Sequence, residues 1–144
     1  MRRFLFDTTV FVHALGGDHP YRDPCRAILE QMQEGRLSGE LSIELIHEFA
    51  YVRSRRGVSR QSAAESARDV ARMAPVHKVA SNDIERALDL WCKYERLDMR
   101  DAIFAAQAMN RGIQSIVSTD KDFDAIEGLT RVDPMDQSAV ATLR

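Results

Sequence analysis

The chain has 144 residues, 44% of them hydrophobic and 29% charged, a composition typical of a soluble globular protein. This length suits one compact domain with a sizeable core. Twenty basic and twenty-two acidic residues give a net charge of −2, which excludes nonspecific electrostatic binding of nucleic acid by the whole protein. Any site for a polyanion must therefore be local, made by clustered arginines or by a bound cation.

The sequence also bears on where the protein works. Cys25 and Cys92 are far apart and have no metal-ligand spacing, so we expect two buried, reduced thiols and a reducing cytoplasm. No apolar run approaches the length of about 18 residues that a membrane span needs. Asp7 interrupts the apolar run that follows Met1 to Arg3, so we expect neither a signal peptide nor a membrane anchor.

In the first half of the chain, apolar spacing and capping residues predict one strand followed by four helices. They are a strand from Arg3 to Phe6, a helix capped by Thr8 and ending at Gly16, a helix from Asp23 to Gln33 after a loop, a helix from Ser42 to Arg56, and a helix from Ser59 to Pro75. No repeat, low-complexity tract or linker divides the chain, so we expect one domain over residues 1–144.

In the second half, two predicted helices separate one strand from two later strands. The predicted elements are a possible strand from His77 to Ala80, a helix capped by Ser81 or Asn82, a helix capped by Asp98 and closed by Gly112, a strand from Ile113 to Ser118, and a last short strand from Leu129 to Val132. Strands separated by helices favour a parallel sheet with right-handed crossovers. The predicted fold class is α/β, a short parallel sheet flanked by helices and rich in helix, with Trp91 and Phe104 packed in the core.

Four acids stand out because ligands of parallel sheets bind beyond the carboxyl ends of the strands. Asp7 follows the first strand and Asp120 follows the strand that contains Ile116, whereas Asp101 lies in the first turn of a helix and Glu48 inside another. Three of them also have an ordinary structural interpretation, as helix-end charge, turn residue or solvated helix face. Asp7 differs, because burying an unpaired carboxylate between apolar residues costs several kcal/mol.

The context of all four acids matches one family pattern. The segments FLFDTTVFVHAL, SIELIHEFAYV, DMRDAIFAAQAMNRGI and SIVSTDKDFD, spanning residues 3 to 124, resemble in order and rough spacing the four motif blocks of PIN-domain ribonucleases. The resemblance is greatest to the small toxins of VapBC-type toxin-antitoxin pairs. It implies a single PIN domain that hydrolyses RNA phosphodiester bonds with a divalent cation.

The resemblance also implies roles for individual residues. Asp7, Glu48, Asp101 and Asp120 match the catalytic and metal-binding acids. We expect Asp7 and Asp101 to be direct ligands, and Glu48 and Asp120 to act through water or to orient the nucleophile. Mg²⁺ or Mn²⁺ suits such oxygen ligands, and a cation removes the mutual repulsion that raises carboxylate pKa values.

Further residues are expected to support this site. They are Thr8, Ser118, Asp98 and Asp122 around the acids, and Arg100 as a phosphate contact. Glu44 fits the family spacing less well than Glu48, and His47 is expected to point to a different helix face from Glu48. The family usually has Asn in the third position of its first block, where this chain has Thr9, so the orientation of Asp7 or of a bound water is in question.

Two other functional classes share part of this sequence pattern. A phosphatase that forms an aspartyl-phosphate also has an Asp after its first strand, but it needs a second acid two residues later, where Thr9 stands. A catalytically silent PIN-like module that binds RNA or protein would keep the fold and lose one or more acids, whereas this chain retains all four.

Expected partners follow mainly from the resemblance: an RNA substrate, a second copy of the chain in a homodimer, and a cognate VapB-type antitoxin that covers the active site. The helices 23–33 and 42–56 are candidates for the receiving groove. The arginine cluster of Arg53, Arg55, Arg56 and Arg60 ends a helix, where cations complement the helix dipole without any further function. The four histidines share no ligand spacing.

Overall fold

The computed structural model describes all 144 residues. The strands are β1 (Arg3–Phe6), β2 (Ser38–Ser42), β3 (Val76–His77), β4 (Ser115–Val117) and β5 (Thr130–Val132). The helices are α1 (Thr8–Ala14), α2 (Arg22–Gln33), α3 (Ile43–Arg55), α4 (Arg60–Ala71), α5 (Ser81–Lys93), α6 (Met99–Asn110) and α7 (Gln137–Ala141), with a 3₁₀ turn at Lys121–Ala125. None of the helices combines the length and apolar composition that a membrane span requires.

The five strands form one parallel sheet in the order β3-β2-β1-β4-β5. From the central β1 the chain builds outward to β2 and β3, then returns to the other side of β1 for β4 and β5. The strand order therefore reverses between β1 and β4, and ligands of open α/β sheets bind in the crevice at such a reversal. The register pairs Phe6 with Val117, so Asp7 and Ser118 leave the sheet side by side.

Aromatic packing under the sheet fixes the position of β1. The rings of Phe4 and Phe6 meet edge to face at 4.9 Å, and those of Phe6 and Phe11 at 5.0 Å. Gly39 of β2 lies against the rings of Phe4 and Phe6, where a Cβ atom would clash with both. Because the core holds β1 and α1 in this way, the turn between them has one well-defined conformation, and that turn begins with Asp7.

The α/β class and the parallel sheet are confirmed, but β2 was not predicted. Its sequence, SGELS, has no apolar alternation, and it becomes a strand by pairing with β1 and β3 on either side. The 3₁₀ turn and α7 were also not predicted. The prediction that Trp91 packs in the core is wrong, because its side chain is 49% exposed, whereas Phe104 is fully buried.

Three smaller predictions are corrected by the fold. Cys92 is exposed and only Cys25 is buried. The cap of α1 is Asp7 rather than Thr8, because the Asp7 carboxylate accepts a hydrogen bond from the Thr8 amide. The N-cap of α5 is Ala80 rather than Ser81 or Asn82, and the Ala80 backbone amide donates a hydrogen bond to the Asp83 carboxylate at 2.8 Å. Ser42 and Asp98 cap α3 and α6 as predicted.

Candidate active site

Asp7 lies where β1 ends and α1 begins, and its carboxylate is held by three donors. The backbone amide of Thr8 donates to Oδ1 at 2.8 Å, and the hydroxyls of Thr9 and Ser118 donate to Oδ2 at 2.8 and 2.6 Å. The Asp7 residue is only 2% exposed, and none of its hydrogen-bond donors carries a positive charge. Thr9, which stands where the family usually has Asn, therefore orients Asp7 with its hydroxyl group.

The Ser118 hydroxyl joins the ends of β1 and β4. It donates to Asp7 and accepts a hydrogen bond from the Asp120 amide at 2.9 Å. The Asp120 carboxylate in turn accepts from the Asp122 amide at 2.9 Å, which fixes the turn that follows β4. Asp122 thus contributes its backbone to the site, and Ser118 contributes its side chain.

Glu48 reaches the same crevice from the middle of α3. The Thr8 hydroxyl donates to its Oε2 at 2.9 Å, and Nη1 of Arg100 lies 3.6 Å from Oε1. Arg100 also lies 3.7 Å from Asp98, the residue that caps α6. Arg100 is the one cation within salt-bridge distance of any of the four predicted acids, and its guanidinium is half exposed beside Glu48.

Asp101 completes the group from the first turn of α6. Its backbone amide donates to the Asp98 carboxylate at 2.8 Å, and its side chain is close enough to Asp7 and Asp120 for both charges to act on it. The structure therefore brings together four carboxylates from four separate segments, which we call the acid cluster: Asp7, Glu48, Asp101 and Asp120.

Three members of the acid cluster, Asp7, Glu48 and Asp101, have raised pKa values. Burial raises the pKa of Asp7 to about 6, although the hydrogen bonds from Ser118 and Thr9 lower it. Burial, followed by the charge of Asp7, raises the pKa of Asp101 to about 9. Burial also raises the pKa of Glu48, against the opposing effects of Thr8 and Arg100. Full ionisation of the cluster would therefore bring together negative charges that no side chain paired with Asp7 or Asp101 compensates.

The donor set fits a hard divalent cation. Every candidate ligand is a carboxylate or hydroxyl oxygen, and none of the salt bridges involves Asp7, Asp101 or Asp120. No three acidic, histidine or cysteine side chains have the geometry to hold an ion together. Mg²⁺ usually takes only one or two carboxylates and keeps water in its other positions, so two direct ligands suffice here.

Some contributors to the site were not predicted from sequence. Arg131 of β5 donates from Nη1 to the Ser118 carbonyl at 3.0 Å, and its Nε lies 2.7 Å from Oδ1 of Asp124. These two contacts fix the backbone at the end of β4. An arginine inside a strand-like segment, which needs partners when buried, was the available signal. His47 and Glu48, as consecutive residues, leave α3 in different directions, and both nevertheless border one small cavity.

Comparison with known proteins identifies the family of the chain. A crevice lined by four acids at the strand-order reversal of a short parallel sheet is the arrangement that the sequence motifs predicted. The PIN domain family matches residues 4–129, nearly the whole chain. The chain belongs to the PIN-domain family, and it groups there with the VapC ribonucleases.

Three relatives illustrate the similarity. Ribonuclease VapC7 of Mycobacterium tuberculosis is 35% identical over 134 residues, which cover 90% of each chain. The crystal structure of VapC20 from Mycobacterium tuberculosis, described as a Sarcin-Ricin loop cleaving toxin, superimposes with a TM-score of 0.71 at 17% identity, covering 85% of this chain and 93% of that one. A toxin-antitoxin complex from Klebsiella pneumoniae superimposes with a TM-score of 0.69 at 20% identity, covering 91% of this chain and 97% of that one. At such identities the two structures support the fold alone.

Proposed function

We propose that the protein is a metal-dependent endoribonuclease whose catalytic centre is the acid cluster. The observation that carries the proposal is the convergence of Asp7, Glu48, Asp101 and Asp120 without a compensating cation at Asp7 or Asp101. Structural carboxylates are normally paired when buried. An unpaired cluster of carboxylates at the ligand-binding edge of the sheet instead suits a cation and the phosphate that the cation binds.

Asp7 and Asp101 are the proposed direct ligands. When bound, Mg²⁺ or Mn²⁺ supplies Lewis-acid activation of water and offsets negative charge on the phosphoryl oxygens. Glu48 lies close enough to Asp7, and Asp120 to Asp101, for their charges to act on these ligands, and both would orient the attacking water. One of them would accept the proton of the water as the new P–O bond forms and the P–O bond to the departing ribose oxygen breaks. Arg100 is half exposed beside Glu48 and would contact the phosphate of the RNA chain.

Around these groups, neutral side chains maintain the geometry. Thr9 and Ser118 hold one oxygen of Asp7, and Thr8 holds one oxygen of Glu48, so neither carboxylate needs to reorganise on binding the cation. Asp98 fixes the start of α6 and therefore the position of Asp101. Asp122 supports Asp120 through its backbone amide.

We also propose that the chain is the toxin of a type II toxin-antitoxin pair, silenced by a VapB-type antitoxin, and that it acts as a homodimer. The names of the relatives support the toxin role and the antitoxin partner, whereas the homodimer rests on the family resemblance alone. Helices α2 and α3 both pack on α1 and have little contact with each other. The groove between them remains our prediction for the antitoxin segment, as an apolar helix-in-groove contact.

Metal binding is tested separately from catalysis. Adding Mn²⁺ or Mg²⁺ at 100 times its dissociation constant should stabilise the folded state by about 2.7 kcal/mol, measured as a rise in melting temperature. Asp101→Asn should abolish the rise, whereas Asp89→Asn on the exposed face of α5 should keep it. A wild-type chain that shows no rise and no cleavage would favour the silent binding module.

RNA cleavage is tested with total RNA and mapped cut ends. Wild-type protein with Mg²⁺ should produce discrete ends, and EDTA or Asp101→Asn should remove them while Asp89→Asn retains them. For the toxin role, expression of the chain should arrest growth, and co-expression of a neighbouring VapB-type reading frame should relieve the arrest. Cleavage without growth arrest would retain the enzyme and refute the toxin assignment.

A further inference from the structure

A small cavity opens beside the acid cluster on the exposed face of α3. Its volume is about 230 Å³, and its lining consists of Glu44, His47, Glu48, Tyr51 and Arg100. Drug-sized ligands occupy pockets of about 300–1,000 Å³, so this cavity suits a group about as large as one planar ring system. Because Glu48 belongs to both the cavity and the acid cluster, an occupant would lie directly beside the reacting phosphate.

Tyr51 forms the aromatic wall of the cavity. It follows Glu48 by three residues on α3, so both side chains lie on the same helix face. The Tyr51 residue is 54% exposed, and the Arg55 guanidinium lies 6.0 Å from its ring centroid. An exposed aromatic ring beside a nuclease centre is a stacking platform for an unpaired base, and a neighbouring guanidinium adds to such stacking.

The rest of the lining supplies hydrogen-bonding groups of both kinds. Nδ1 of His47 lies 3.2 Å from Oε1 of Glu44, which keeps both groups at the cavity wall. Arg100 contacts Glu48 and Asp98 at 3.6 and 3.7 Å and is half exposed, so part of its five-donor guanidinium remains free. The cavity therefore presents donors from His47 and Arg100 and an acceptor from Glu44 around one ring.

The net charge of the cavity lining favours a neutral base over a phosphate as the occupant. Glu44 and Glu48 bring two carboxylates against the single guanidinium of Arg100, an excess of negative charge that disfavours a phosphate inside the cavity. The phosphate contact proposed for Arg100 would therefore be made at the mouth of the cavity, beside the acid cluster. A nucleobase is neutral, and its amino and ring N–H groups can donate to carboxylates. An apolar protein helix would need several hydrophobic contacts, whereas the lining offers Tyr51 alone.

We propose that this cavity binds one unpaired base of the RNA substrate, next to the scissile phosphate. The base stacks on Tyr51, and its polar edge faces Glu44, His47 and Arg100. The proposal rests on the ribonuclease function proposed above and adds a specificity subsite to it. It makes Tyr51 a residue that selects where a single-stranded loop is cut, while the acid cluster performs the hydrolysis.

The first test measures kcat/KM on an RNA stem-loop that spans a mapped cut site. Tyr51→Ala should lower kcat/KM by about ten-fold or more, because one base–aromatic stack is lost. Tyr51→Phe keeps the ring and should cleave like wild type. Trp91→Ala is the matched control, since Trp91 is a comparably exposed aromatic on α5, and it should leave kcat/KM unchanged.

The second test removes the base instead of the ring. Stem-loops with an abasic residue at each position flanking the cut should include one that wild type cleaves poorly and that Tyr51→Ala cleaves equally poorly. Wild type and Tyr51→Ala differ in kcat/KM on the intact stem-loop and should no longer differ on that abasic one. The change in this ratio measures the coupling between the Tyr51 ring and the base. If every abasic position leaves the effect of Tyr51→Ala intact, the ring does not stack on a flanking base and the proposal is wrong.

An RNA-binding measurement distinguishes failure of the base subsite from failure of the ribonuclease function. The intact stem-loop should bind Asp101→Asn at least about ten-fold more tightly than it binds the double variant Asp101→Asn/Tyr51→Ala. Equal binding refutes the subsite even if wild type cleaves no RNA. Unchanged RNA cleavage by Tyr51→Ala together with weaker antitoxin binding would instead assign the cavity to a protein contact.

Discussion

Two buried carboxylates on neighbouring strands have opposite surroundings. Glu40 of β2 is 6% exposed, and it accepts hydrogen bonds from Arg3 at 2.6 and 2.9 Å and lies 2.6 Å from Nε2 of His77. Asp7 at the end of β1 is 2% exposed but is held only by hydroxyls and an amide. Arg3 accordingly lowers the pKa of Glu40, whereas burial raises that of Asp7 to about 6.

The contrast shows that burial of an acid does not by itself indicate function. The fold supplies Glu40 with the positive charge of Arg3 and a hydrogen-bonding partner in His77, so that carboxylate stabilises the pairing of the strands and needs no ligand. For Asp7 the fold supplies orientation without charge, so the compensating charge must come from a ligand. The two regions therefore differ in whether the carboxylate has a charged partner, and substitutions in either region test this difference.

The largest effect is expected on catalysis. Asp7→Asn retains the shape of the side chain and removes its charge, so RNA cleavage should fall by about 10²–10³-fold or more. Glu40→Gln makes the same chemical change in the paired region and should retain wild-type cleavage per folded molecule. Cleavage rates on one RNA substrate, normalised by circular dichroism, compare the two variants. Equal losses in both would mean that the two acids do not differ in role.

Stability should respond with opposite signs. Glu40→Ala removes the partner of Arg3 and His77 and should destabilise the fold by about 1–3 kcal/mol, less than for a fully buried pair because Arg3 is half exposed. Asp101→Asn removes a buried carboxyl that takes up a proton on folding because its pKa is raised to about 9, and it should stabilise the metal-free protein by about 1 kcal/mol. Urea unfolding in EDTA near pH 8 measures both changes. Destabilisation by Asp101→Asn would contradict an unpaired charge at that position.

The two regions should also shape opposite limbs of the stability profile against pH. The pKa values of Asp7 and Asp101 are raised to about 6 and about 9 from 3.8, so the metal-free folded state binds protons more tightly and loses stability as pH rises from 3.8 towards those values. The lowered pKa of Glu40 gives stability that is present above its ordinary value of 4.5 and is lost as pH falls through the folded value.

Urea unfolding in EDTA across this pH range checks both limbs. Asp101→Asn should flatten the alkaline limb by about 1–3 kcal/mol, and Glu40→Gln should flatten the acid limb. Saturating Mg²⁺ should reverse the alkaline limb of the wild-type chain, because the cation favours the ionised cluster. A wild-type profile that keeps the same slope with and without Mg²⁺ would contradict a metal site among these acids.

The smallest effect concerns the hydroxyls that hold Asp7. Ser118→Ala removes the 2.6 Å hydrogen bond to Asp7 and should raise its pKa further, moving the acid limb of the cleavage profile up by about one pH unit. Thr9→Val should produce a smaller shift in the same direction, and Thr9→Asn should leave the profile close to wild type because its amide can still donate. A pH profile for each variant, with Thr119→Ala as the control, measures these shifts.

Much of the site was predictable from sequence because its determinants are local. An acid directly after an apolar run, as in FLFD, indicates a strand end, and a carboxylate in the first turn of α6 follows from the Asp98 cap. The order of such segments identified the family and the four acids. Helix positions were predictable for the same reason, since caps, glycine stops and apolar spacing act over a few residues.

Tertiary structure decided what depends on distant partners. β2 is a strand only because β1 and β3 pair with it, and the side-chain partners of Glu40, Arg3 and His77, each lie 37 positions away in the sequence. The hydroxyl of Ser118 reaches Asp7 across 111 residues, and the cavity at Tyr51 exists because Arg100 of α6 lies against α3. The sequence by itself determined which acids are present and where elements begin, whereas packing decided which acids lack a counter-charge, because compensation of charge is a property of three-dimensional neighbours.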